Sequence, residues 1–173
     1  MSNAHEEARI LGTLGSTHGK GLVRIQDRLE SSVGEVWSAL TDPARLAGWY
    51  GDVEGELRQG GEYHARLFAS GWEGTGRIEV CDPPKRLLVM TKTARASEEQ
   101  AIEVTLAPDD GTILLIWEER GMPVELVAAY GAGIQVHVED LAGYLRGSER
   151  CDAEARFNQL FPAYQRLLEE SSA

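Results

Sequence analysis

The side chains of this sequence that could do chemistry fall into three groups. His137 sits in a stretch where Val127, Gly131, Ile134, Val138, Leu141 and Leu145 recur every three or four positions. That spacing places it on an amphipathic helix, roughly 60° around from Ile134 and on the same flank as Tyr130 and Tyr144. An imidazole at a cavity rim can hydrogen-bond a ligand; one that meets a sheet carbonyl is only a satisfied core group. Trp49 and Tyr50 form an adjacent aromatic pair. Such a pair offers a large apolar face and one phenolic hydroxyl, whether to a ligand or to the core. Glu103 and Glu118 lie in apolar strands. A carboxyl turned inward there would have its pKa raised by burial and would serve as an acid or a polar anchor. Alternation with Ile102, Val104 and Leu106 turns Glu103 outward. Glu118 shares parity with Leu114 and Ile116 and is the inward candidate.

Other chemistries lack their residues. His5, His18, His64 and His137 are far apart, and neither Cys81 nor Cys151 has a CxxC or HxxxH neighbour, so no metal site is expected. Gly74-Thr75-Gly76 lacks the third glycine and the following helix of a dinucleotide fingerprint. No nucleophile elbow is present. His64 and Arg66 share a face opposite Tyr63, Ala65 and Leu67 and read as solvated, while Trp72 and Trp117 read as strand-end aromatics covering sheet surface.

The net charge of −11 disfavours a phosphate-backbone partner and an anionic membrane surface. With 173 residues, 42% hydrophobic and 26% charged, the chain suits one globular domain that needs no disulfide staple. Residues 1–10 show no apolar signal-peptide core and no stretch is long enough to span a bilayer, so a cytoplasmic location is expected.

The elements that would position these groups follow from local pattern. Residues 1–21 read as a tail or short hairpin, and residues 22–173 as a single domain. Val23, Ile25 and Leu29 give a first strand. Ser32 and Glu35 have capping-box spacing before a short helix carrying Val33, Val36, Trp37 and Leu40. Asp42-Pro43 starts a second short helix that Trp49 and Tyr50 close. Strands follow over 53–58, 63–69, 75–80 and Leu87–Met90; Ile102–Leu106 and Ile113–Trp117 pair through the turn Asp109-Asp110-Gly111. Turns this short make the neighbours antiparallel. A helix over about 124–146 then runs some 35 Å at ~1.5 Å per residue. Gly131 and Gly133 weaken it, which marks a close approach or a break. Asp152 caps a last segment lined by Phe157, Leu160, Phe161, Tyr164, Leu167 and Leu168, which Pro162 should split.

This order resembles the helix-grip (START-like, SRPBCC) superfamily. Three strings narrow the resemblance to proteins similar to the activator of the Hsp90 ATPase: Val36–Leu46 followed by Trp49, Gly60-Gly61-Glu62-Tyr63, and Pro83-Pro84-Lys85-Arg86-Leu87-Leu88. Tyr130–Leu141 is similar to that family's C-terminal helix. The resemblance implies an α+β fold in which a curved antiparallel sheet of six to seven strands wraps the long helix. It places Trp49 and Tyr50 at a cavity mouth. Ile134 stands where relatives commonly carry Trp, which implies a cavity of different size or shape. The function expected is non-enzymatic binding of a small apolar molecule between helix and sheet. Its candidate lining is Trp49, Tyr50, Glu118, Tyr130, Ile134, His137, Val138 and Leu141. Two alternatives stand beside it: a co-chaperone-like interaction domain that meets a chaperone or a second copy, and a cyclase or hydrolase of the same superfamily. No cofactor is implied.

Overall fold

The computed structural model describes residues 9–96 and 98–171. Short turns build most of its sheet. Strands β1 (Gly12–Thr17) and β2 (Lys20–Leu29) meet at His18-Gly19, both at positive φ. Strands β7 (Gln100–Asp109) and β8 (Thr112–Met122) meet in the same way at Asp110-Gly111, with φ of 48° and 83°. Those angles suit a two-residue turn whose twist matches that of its strands. Between the two hairpins run β3 (Gly51–Gly55), β4 (Glu62–Leu67), β5 (Glu73–Asp82) and β6 (Arg86–Lys92). The eight strands form one sheet in the order β1-β2-β8-β7-β6-β5-β4-β3, with every pairing antiparallel.

The sheet therefore has eight strands, where the sequence suggested six to seven. The additional one is β1, whose register runs from Gly12 opposite Ile25 to Thr17 opposite Lys20. Gly12 and Gly15 leave it with little apolar alternation of its own. The ring of Tyr164 covers Gly12 so closely that an added Cβ would fall 2.6 Å from the hydroxyl.

Capping residues fix the helices as their types predict. Helix α1 (Val33–Thr41) starts at Ser32, whose hydroxyl accepts from the Glu35 amide. Helix α2 (Pro43–Leu46) starts at Asp42, whose carboxylate accepts from the Ala44 amide. The long helix α3 (Val127–Leu145) begins after a 3-10 turn over Val124–Leu126 and stops before Gly147, at a φ of 82°. It is shorter than its pattern suggested because Val124 and Leu126 belong to that exposed turn.

Helix α4 (Ala153–Ser171) is continuous through Pro162, against the expected split. Pro162 and Asn158 are both exposed. The carbonyl that proline leaves without a donor is thus on the solvent side, where water can satisfy it. Helix α4 packs on α3 and β1, so α3 is covered on two sides and buried nearly all round. Among the described residues no helix is long and apolar enough to cross a membrane.

Candidate functional site

The inner face of the sheet is set by register. Val23, Glu119, Ile102, Val89 and Ile78 stand in one row across β2, β8, β7, β6 and β5. Ile25, Trp117, Val104 and Leu87 form the next row. The segment that follows α2 closes over these rows. Trp49, 1% exposed, is fixed there because its Nε1 donates to the Ala39 carbonyl at 2.9 Å.

Four rings meet at this point. The Trp49 and Tyr50 centroids lie 5.0 Å apart, Trp49 stands edge-on to Trp117 at 6.4 Å, and Tyr50 is 5.9 Å from Trp117. The imidazole of His137 meets the Tyr50 ring edge-on at 4.9 Å. Beside this cluster is an apolar chamber of about 60 Å³, lined by Trp49, Tyr50 and Trp117 with Leu46, Tyr63, Ile78, Val104 and other apolar side chains. Its volume suits about two waters.

The register corrects the expected acid. Glu118 lies opposite Glu103 on the outer face of the sheet, and Arg120 bonds both carboxylates there. Ile113, Leu115 and Trp117 are buried, so Leu114, Ile116 and Glu118 take the other side. The inward acid is Glu119. Trp117 Nε1 donates to Glu119 Oε2 at 3.1 Å. Burial raises the Glu119 pKa from 4.5 to about 7, although the Trp117 bond works in the opposite direction. Burial lowers His137 from 6.5 to about 4, so the imidazole is neutral at pH 7. Burial, and secondarily the nearby Glu119 charge, pushes Tyr63 up to about 12 and Tyr50 well above its ordinary range. A carboxyl poised near neutrality can accept or deliver a proton and can equally hydrogen-bond a ligand.

The remaining candidates divide. Ile134, Val138 and Leu141 are core residues, at most 3% exposed, and do not line the chamber. Tyr130 lies away from it, with its hydroxyl accepting from Gln100 Nε2 at 3.3 Å. His64 is exposed and 3.1 Å from Glu73. Among the described residues no group of His, Cys, Asp and Glu is placed to hold a metal ion.

Sequence reasoning missed Glu119, Tyr63 and Gln135. The signal for Glu119 was its shared parity with Leu115 and Trp117. Gln135, fully buried, accepts from Leu11 N (3.0 Å) and the Tyr164 hydroxyl (2.6 Å) and donates to Arg9 O (2.8 Å) and Glu139 (3.0 Å). It ties β1, α3 and α4 together, and nothing local to residue 135 announces that.

The sequence model of the family described as "Activator of Hsp90 ATPase homolog 1-like protein" matches residues 30–146, and the chain belongs to that family. Its fold is the SRPBCC helix-grip fold. The crystal structure of CalU16 from Micromonospora echinospora is similar, with a TM-score of 0.75 and 22% identity over 91% of this chain and 96% of that one. DynU16, a protein of the dynemicin biosynthetic locus, is similar with a TM-score of 0.69 and 29% identity. The match covers 76% of this chain but 50% of DynU16. A protein from Nitrosomonas europaea gives 0.62 and 19% over 73% of this chain and 94% of that one. No curated protein matches the chain.

Proposed function

We infer that this family member binds a small, largely apolar molecule between its sheet and the segment carrying Trp49 and Tyr50. The observation that carries the reading is the unfilled apolar chamber ringed by Trp49, Tyr50, Trp117 and Tyr63, with an inward carboxyl bonded to the Trp117 indole behind it. Ligand pockets combine an apolar lining with a few convergent polar groups in this way. The chamber of about 60 Å³ is far below the roughly 300–1,000 Å³ of ligand sites. Binding therefore requires the wall to move, and Tyr50 is one of several half-buried wall residues, with Leu57, Tyr63 and Leu87, that can do so.

A thermal-shift screen against hydrophobic small molecules tests this. A ligand at about 100 times its Kd should add roughly 2.7 kcal/mol of stability. Trp49 and Trp117 line the chamber, so the same ligand should also change tryptophan emission. A screen in which no compound moves either signal would remove the reading.

The smallness of the chamber favours a second reading, an interaction domain whose interior is filled. The family's description supports a chaperone as its partner. Co-purification with an Hsp90-type chaperone and stimulation of its ATPase would select this reading, and failure of both would remove it.

A further inference from the structure

Two polar groups bear on Tyr50, a residue of the chamber wall, although neither lines the chamber itself, and one of them, His137, keeps a buried ring nitrogen without a partner. Glu119 takes one hydrogen bond, from Trp117 Nε1 to Oε2. Among the described residues no protein donor reaches Oε1. His137 is 7% exposed, and its Nδ1 has no partner at all. A buried polar atom left unpaired costs stability, and native folds rarely keep one without a use. The Tyr50 ring lies edge-on to His137, and the Glu119 charge acts on its hydroxyl. A ligand that displaces that ring to enlarge the chamber uncovers the imidazole.

We propose that Glu119 and His137 anchor the hydroxyl of an uncharged aromatic alcohol whose ring lies among Trp49, Tyr50 and Trp117. This rests on the ligand-binding reading above and adds the ligand's chemical class to it. A hydroxyl is the group that fits, because it donates to a carboxyl oxygen or an imidazole nitrogen and also accepts. An aromatic ring fits because the resident rings meet at tilted and edge-on angles, an arrangement that a further ring can extend. Charge is excluded on both signs. No Lys or Arg lines the chamber to meet a carboxylate. An ammonium would have to draw the proton off the buried Glu119 carboxyl before pairing with it, a cost that an uncharged hydroxyl avoids.

Equilibrium dialysis of the full chain against 2-naphthol, naphthalene and 2-naphthoate at pH 6 separates the possibilities. The proposal expects 2-naphthol to bind about tenfold more tightly than naphthalene, the ratio that one added hydrogen bond gives, and 2-naphthoate to bind more weakly than either. Glu119→Leu and His137→Leu should each bring the ratio of 2-naphthol to naphthalene affinity down toward one. Equal binding of naphthol and naphthalene by the unaltered chain overturns the anchor and leaves the apolar site standing, and so does a preference for naphthoate. Binding of none of the three overturns the proposal, and the thermal-shift screen then decides the apolar site separately. The unaltered chain decides the question even if a variant fails to fold.

Discussion

Trp117 Nε1 donates to Glu119 Oε2 at 3.1 Å, two positions along one strand, so the indole and the carboxyl share the inner face of the sheet. The bond holds the acid against apolar neighbours where its charged form is disfavoured. The Tyr50 ring, 5.9 Å from that indole, covers His137, which burial disfavours as a cation.

These two groups give opposite pH dependences of stability. Glu119 titrates at 4.5 when unfolded and about 7 when folded. The native state then holds the extra proton between those values, and stability falls as pH rises through them, by up to about 1.4 kcal/mol per pH unit. His137 has its folded value lowered from 6.5 to about 4. Its contribution is complete above 6.5 and is lost as pH falls toward 4. Relative to wild type, Glu119→Gln should gain stability as pH rises from 4.5 to 7. His137→Gln should gain as pH falls from 6.5 to 4. Urea unfolding at a series of pH values reads both slopes, and parallel curves for either variant and wild type would contradict its assignment.

Trp49→Phe should cost about 2–3 kcal/mol, from a smaller ring in a buried site and an Ala39 carbonyl left without its donor. The midpoint of urea unfolding should fall at constant m. A cost below about 0.5 kcal/mol, the range of ordinary surface changes, would show that Trp49 does not hold the chamber wall.

Two neighbouring glycines of α3 should respond in opposite directions. A Cβ at Gly131 would lie 2.7 Å from the Tyr164 ring, while one at Gly133 meets nothing within 4 Å. Tyr164 is held by Gln135 and cannot give way easily. Gly133→Ala should therefore stabilise by about 0.5–1 kcal/mol, and Gly131→Ala should destabilise by about 1–3 kcal/mol despite the same gain in helix propensity. Thermal unfolding of the two variants checks the signs.

Pro162→Ala should stabilise the chain, by at most the ~3 kcal/mol separating these residues in helix interiors. The exposed position leaves the freed Asn158 carbonyl in water, so the gain should come mainly from relieving the clash of the proline ring with that carbonyl and stay well below this limit. Hydrogen exchange in the second half of α4 should slow by a corresponding amount. Unchanged exchange would show that proline is already accommodated.

Much of the fold was legible locally. Ser32 and Asp42 announce helix starts because only short acceptor side chains satisfy the free amides there. Asp110-Gly111 announces a hairpin because its φ angles suit those residues. The strand β1 was legible only as one of two alternatives, a tail or a short hairpin, and the continuity of α4 was not legible, since both depend on Tyr164, Gln135 and solvent rather than on their own pattern. At the site, Trp49, Tyr50 and His137 could be singled out by residue type, and their packing against one another could not.

By itself the sequence determined the order of elements, their caps and turns, and the antiparallel pairing of strands that follow one another, because each depends on residues close together in the chain; the pairing of β2 with β8 does not. It also determined which aromatic and titratable groups were present. Which acid looks inward was decided only by tertiary structure, since moving one residue along a strand reverses the face and the face is fixed by β2 and β7 beside it. The size of the chamber was decided there too. It is the volume left when side chains from distant segments meet, and no local pattern encodes that remainder.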